Sequence, residues 1–300
     1  MKAKVKLIAA MFIFGSIGIF VRTIGLSSGI LAIVRGSIGT VFLLLAWLAM
    51  GKRLSLLSIR KNLKFLVFSG AAIGANWICL FEAYRYTTIA VATLCYYLAP
   101  VFVILASPLF LKEKLTAVKA GCVAVSLFGM ALVADIFGNG QEAAGGWKGI
   151  AFGVTAALLY ASVVIMNKFL KEIEAVDMTV SQLGIASLVL LPYVLYTEDG
   201  TGITLGVSTL FLLLYLGIVN TGIAYLLYFS SLKDLSGQTA ALFSYIDPVT
   251  AILLSALLFH EDMSAEQIIG AVLILGATLV SELAGGRKQV PANTNTTVQG

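Results

Sequence analysis

Apolar stretches recur along the chain, separated by short clusters of charge, glycine and proline. Ten of them, at residues 6–22, 29–50, 64–84, 88–111, 115–135, 149–168, 177–197, 208–231, 236–259 and 266–284, are predicted to be helices. At about 1.5 Å per residue each is long enough, or nearly so, to cross a hydrocarbon core roughly 30 Å thick. Neither the glycine-rich 136–148 connection nor the polar 198–207 one has room for a soluble domain. Residues 285–300 are polar, contain Pro291 and are predicted to form a disordered tail. Lys2, Lys4 and Lys6 precede the first apolar stretch, but Arg22 follows it and no small-x-small cleavage site does, so an uncleaved first helix is expected.

The pattern repeats. The segment reaching Pro100-Val101 returns at Pro248-Val249, an offset of 148 residues. The same offset pairs Gly74 with Gly222, Phe81 with Phe229, Leu94 with Leu242, Tyr97 with Tyr245, Ser107 with Ser255 and Glu113 with Glu261. The chain therefore reads as two units, 1–135 and 149–284, joined by the 136–148 linker. Five spans per unit is an odd number, so the second copy enters the membrane from the opposite face. This is the inverted arrangement that lets two similar halves exchange inward- and outward-open forms around a midplane site.

Composition supports a membrane class. With 59% hydrophobic and 12% charged residues, the chain is too apolar for an ordinary soluble domain. Charge then sets sidedness. Placing the amino terminus in the cytoplasm puts Lys52, Arg53, Arg60, Lys61 and Lys64 in one inner loop and Lys112, Lys114 and Lys119 in the next. The outer side receives only Arg22, Arg85 and Lys148 among basic residues, together with Asp135, Glu142, Glu198, Asp199, Glu261, Asp262 and Glu266, and the linker lies there too. Both termini are thus expected in the cytoplasm, and the net charge of +5 reflects loop sidedness rather than nucleic-acid binding.

The motifs that close each half are Ala83-Tyr84-Arg85-Tyr86-Thr87-Thr88, Leu98-Ala99-Pro100-Val101 and Lys112-Glu113 in the first. In the second they are Ser231-Leu232-Lys233-Asp234-Leu235-Ser236, Ile246-Asp247-Pro248-Val249 and Glu261. Doubled and inverted, they resemble the drug/metabolite transporter superfamily, in its ten-helix EamA-type branch. The resemblance covers nearly the whole chain. It implies a multi-pass permease of a bacterial inner membrane, often an exporter of amino acids or other small metabolites, with a cavity between the halves. Where that branch commonly carries Glu before the second-half proline, this chain has Asp247.

Several residues are candidates for the site. Asp247 falls about 16 Å into its span, where a carboxylate costs ~2.5–3.5 kcal/mol to insert and usually faces a cavity or a partner. It is a candidate to carry a proton or meet a solute amine. Arg35 lies about 9 Å below the outer end of the second span. It either pairs with Glu82 or receives a solute carboxylate. Trp77, Tyr96, Tyr97, Tyr225 and Tyr245 are candidate pocket aromatics, with packing or interfacial anchoring as the alternative. Trp77 shares a helical face with Tyr84, and Tyr225 shares one with Tyr228. Asn76 is a candidate solute ligand as well as an interhelical hydrogen-bonder, the role expected of Asn167, Gln182 and Asn220. Pro100 and Pro248 each remove a helical hydrogen bond and are candidate hinges. Gly15, Gly18, Gly36 and Gly39 are expected to allow close helix contact. Glu113 and Glu261 are expected to cap or bridge the helix that follows each.

Other chemistries are disfavoured. Cys79, Cys95 and Cys122 lack metal or redox spacing, and the lone His260 beside two acids makes no metal site. No phosphate-cradling lysine motif appears, so neither ATP nor any cofactor is expected. The expected partners are a small-molecule solute and the lipid bilayer, with protons as candidate coupling ion and a monomer or homodimer as the assembly. The reading is an all-α polytopic secondary transporter of two inverted five-helix repeats that exports small metabolites, amino acids first. A multidrug or nucleotide-sugar permease is the nearest alternative. An intramembrane enzyme on lipid-linked substrates, a channel and a non-transporting sensor are alternatives of other classes.

Overall fold

A computed structural model of the chain describes residues 2–24, 26–87, 89–133, 147–198, 206–259 and 264–286. Every regular element among them is helical. The first predicted stretch is α1 (Lys2–Gly15) and α2 (Ile17–Ile24), followed by α3 (Ser28–Ala49), a short α4 (Leu56–Lys61) and α5 (Leu63–Tyr86). The fourth stretch divides into α6 (Ile89–Tyr96) and α7 (Ala99–Phe110), and α8 (Ala117–Val133) ends the first half. Then come α9 (Trp147–Asn167) and α10 (Ala175–Thr197). The eighth stretch is α11 (Val207–Tyr215), a π-helical segment (Leu216–Ile223) and α12 (Ala224–Leu232). The ninth is α13 (Gly237–Phe243) and α14 (Ile246–Phe259), and α15 (Ala265–Gly286) is the last. The Gly-rich linker through 146, the 199–205 connection, the loop carrying His260, Glu261 and Asp262, and the tail beyond Gly286 lie outside the described residues.

Ten spans were expected; among the described residues, six ranges are long and apolar enough by length and composition to cross a membrane. These are Ser28–Ala49, Leu63–Tyr86, Val91–Phe110, Trp147–Asn167, Ala175–Thr197 and Val207–Leu232. Several stretches are broken locally. The first stretch breaks at Ser16, whose hydroxyl donates to the Ile13 carbonyl at 2.7 Å, a back-bond that bends helices. The fourth and ninth break at matching places. A proline ring at Pro100 or Pro248 clashes with the carbonyl four residues earlier and offers it no donor. Just before each proline the ladder tightens to three-residue bonds, Leu98 N to Cys95 O at 3.2 Å and Tyr245 N to Leu242 O at 3.2 Å.

The outer surface of the bundle is apolar, with Phe68, Leu109, Leu188, Leu195, Phe211, Val272 and Leu279 all exposed. Such a belt suits lipid and not water. The interior interleaves the two halves. α5 packs on α9 and α10, α3 on α10 and the π-helical segment, and α8 on α15. Glycines set the closest approaches. A Cβ on Gly39 would stand 2.9 Å from the Gly217 carbonyl and 3.0 Å from the Gly222 amide, so α3 and the π-helical segment meet backbone to backbone. Polar groups within the spans cross-link helices as expected. Gln182 of α10 donates to both Ser69 of α5 and Asn167 of α9, and Asn220 donates to the Ile13 carbonyl of α1 at 2.6 Å.

One clamp joins the loops of the two halves. Asn62 donates from Nδ2 to the Lys171 carbonyl at 2.8 Å and accepts from the Lys171 amide at 3.0 Å, and it is buried. An alanine there leaves both Lys171 backbone groups without partners. Asn62→Ala is expected to lower unfolding stability by ~1–3 kcal/mol, read as a shift in the thermal midpoint of the detergent-solubilised protein.

Candidate functional site

The breaks, the glycine crossings and the prolines converge on one interior region lined by aromatic rings. Arg35 of α3 lays its guanidinium over the Trp77 ring of α5, 4.8 Å from the centroid. Trp77 meets Tyr225 of α12 edge to face at 6.3 Å, and Tyr225 meets Phe14 of α1 at 5.1 Å. Phe14 touches Tyr228 at 6.1 Å, and Tyr228 stacks on Tyr160 of α9 at 6.2 Å. Tyr160 contacts Tyr96 at 5.8 Å, Tyr96 contacts Tyr97 at 5.9 Å, and Tyr97 stacks on Tyr245 at 6.3 Å. The result is a continuous ribbon of rings from Arg35 to the kink of the ninth stretch. Beside its far end sits Asp247, in the first turn of α14, with the Tyr97 hydroxyl facing its carboxylate.

Arg35, Tyr84, Tyr96, Tyr97, Tyr160, Tyr225 and Asp247 are each only half-buried, although all belong to interior helix faces. Together they form an interior cluster rich in π faces, and its two formal charges come from different helices, α3 and α14. Among the described residues no carboxylate pairs with Arg35, and its Nε is buried without a hydrogen-bond partner. A guanidinium in that condition offers planar, paired donors to an incoming oxyanion.

At three candidates the structure shows one of the two expected roles and not the other. The Arg35–Glu82 pair is not formed. Glu82 is instead held by Arg85 at 2.9 Å, one helical turn away on α5, and by the Tyr193 hydroxyl of α10 at 2.6 Å. Asn76 is buried, and its Nδ2 donates to the Ala156 carbonyl of α9 at 2.6 Å, which ties two helices together. Tyr245 is fully buried, and its hydroxyl donates to the Tyr97 carbonyl at 3.1 Å. It lies beneath the ribbon and joins two residues that the 148-residue offset makes equivalent. Pro100 and Pro248 sit within the first turns of α7 and α14, directly after the kinks.

Phe14 and Tyr160 are ribbon members that the sequence reading did not single out. A signal existed for Tyr160: a tyrosine deep in an apolar span needs a partner for its hydroxyl. The Tyr228 hydroxyl interacts with both Tyr160 and Ser244. At the other end of α12 the chemistry is structural. Lys168 donates to the Leu232 and Leu235 carbonyls and Lys233 to that of Ile173, closing a cleft of about 360 Å³ lined by Asn167, Glu172 and Glu174. Partial burial lowers the pKa of the Lys233 ammonium, an effect that Glu174 and Asp234 oppose. Among the described residues no cluster of His, Cys, Asp and Glu could hold a metal ion.

The profile of the EamA-like transporter family matches residues 1–134 and again 147–282. The uncharacterized transporter YxxF of Bacillus subtilis (strain 168) is 30% identical over 291 residues, spanning 97% of this chain and 92% of its own. The uncharacterized inner membrane transporter YicL of Salmonella typhimurium is 21% identical over 294 residues, or 96% of this chain and 97% of its own. A solved crystal structure superposes with a TM-score of 0.83 at 19% identity, covering 96% of this chain and 99% of that one, a likeness of fold.

Proposed function

The chain belongs to the EamA-like transporter family and is a membrane transporter; from that premise we propose an alternating-access secondary carrier that exports small amphipathic metabolites, amino acids first, across a bacterial inner membrane. The carrier has ten crossings, five in each inverted half, with 1–135 and 149–284 as the halves, 136–148 as an outer linker and both termini in the cytoplasm. The observation that carries the solute class is the ribbon itself, with an unpartnered guanidinium at Arg35 and a carboxylate at Asp247. A zwitterion places its carboxylate on Arg35, its amine toward Asp247 and its apolar body against the rings. Drug-like cations and nucleotide sugars fit less well, because the former leave Arg35 unmatched and the latter bring more negative charge than one guanidinium answers.

Movement follows from the kinks. The matched breaks before Pro100 and Pro248 let α6 bend against α7 and α13 against α14, and the two halves exchange roles. Asp247 carries a proton when no amine occupies the site. The test is counterflow in proteoliposomes preloaded with unlabelled amino acids. Saturable accumulation of labelled solute, stimulated from the opposite side, is expected. Asp247→Asn is expected to remove its dependence on an imposed pH gradient. Flux that never saturates would indicate a channel, and binding without flux would indicate a sensor.

A further inference from the structure

Glu113 was expected to cap the helix that follows it, but Thr116 performs that task for α8, its Oγ1 accepting from the Lys119 amide at 3.3 Å. Glu113 reaches instead into the other half. Its carboxylate accepts from the Gly237 amide at 2.7 Å and the Gln238 amide at 3.1 Å, the first two amides of α13. Lys112 makes this possible by adopting a left-handed conformation (φ 55) that ends α7 and turns the chain toward α13. Gln238 completes the clamp. It is fully buried, its Oε1 accepts from Lys119 Nζ at 2.7 Å, and its Nε2 points back to the Glu113 carbonyl at 3.5 Å. Gly237 fits against Leu111 so closely that a Cβ would come within 2.7 Å of its Cδ1.

We propose that Glu113 is a gating residue: its carboxylate latches the end of α7 onto the start of α13 and shuts the cytoplasmic mouth of the lumen. The inference rests on the carrier reading and orientation above. α13 leads directly into the kink and Asp247, so a latch at its first turn fixes the segment that must move for solute to enter from the cytoplasm. Charge-assisted bonds to two backbone amides hold firmly, yet they lie at the bundle end, where water can replace them. Each transport cycle then requires the latch to open and re-form.

The test uses the full chain with Cys79, Cys95 and Cys122 replaced by serine and spin labels at Lys114→Cys and Asp234→Cys, both exposed positions flanking the latch. The wild-type latch should give a predominantly short distance. Glu113→Ala should raise the ratio of long to short populations about tenfold, and Glu113→Asp by less. An unchanged distribution in a monodisperse Glu113→Ala protein overturns the proposal. Should that variant fail to fold, Glu113→Gln, which keeps the side chain's shape but removes the charge that strengthens both bonds, should still shift the distribution in the same direction; no shift there rejects the latch. A distance shift in a protein that moves no solute would refute the carrier reading and leave the latch standing, whereas flux without any shift would do the reverse.

Discussion

Arg35→Gln should raise the half-saturation concentration for a zwitterionic solute by roughly 30- to 160-fold, the equivalent of ~2–3 kcal/mol for a lost charge-assisted contact. The expectation follows from a guanidinium stacked 4.8 Å over Trp77 with its buried Nε unpartnered. In that position it has no structural ion pair to lose, so its removal should register in binding more than in folding. Arg35→Lys keeps the charge but not the planar stack or the paired donors, and an intermediate value is expected. Solute concentration dependence of counterflow measures the effect, and folded yield serves as the control. A half-saturation value within about twofold of wild type in a well-folded Arg35→Gln protein would remove Arg35 from the site.

Gly15→Ala should be among the most destabilising single-methyl additions in the chain. A Cβ there would stand 2.6 Å from the Asp247 carbonyl oxygen and 2.6 Å from Thr250 Cβ. Neither neighbour can swing aside, since one is backbone and the other a β-branched carbon fixed to its helix. α1 and α14 must therefore separate, at a cost of about 1–3 kcal/mol for an overpacked interface. The same displacement moves Asp247, so transport should fall with stability. Gly121→Ala is the matched comparison: nothing lies within 4 Å of the methyl it adds, and replacing a helical glycine in open space should be neutral or stabilising by up to ~1 kcal/mol. Thermal unfolding of the two variants separates them. Equal midpoints would mean that the α1–α14 crossing is looser than the glycine contact implies.

Much of the helical organisation was legible because it depends on long-range averages. Runs of apolar residues place the helices, and a 148-residue echo relates Pro100 to Pro248 whatever their neighbours do. Contacts that depend on helix rotation were less legible. Asn76 and Trp77 are adjacent in sequence, yet one ties α5 to the Ala156 carbonyl while the other carries Arg35 on its ring. Hydropathy cannot distinguish those faces. Glu82 was readable only as one of two options for Arg35: Arg85 stands three residues on, within one turn, and local pairing prevailed. The reach of Glu113 across to α13 had no sequence signal, because it depends on a left-handed backbone at Lys112 and on how the halves dock. The π-helical segment is likewise a tertiary product, fitted around Gly39 and closed by the Thr221 hydroxyl on the Leu216 carbonyl at 3.0 Å.

Two halves facing opposite ways around one lumen are the central claim of the proposed mechanism. Met50 and Glu198 are equivalent under the repeat, and both lie at helix ends among the described residues. Single cysteines at these two positions, probed in sealed vesicles with a membrane-impermeant maleimide from each face in turn, test it most directly. Met50→Cys should react only from the cytoplasmic side and Glu198→Cys only from the outer side. Reaction of both from the same side would contradict the inverted architecture and with it the alternating-access mechanism.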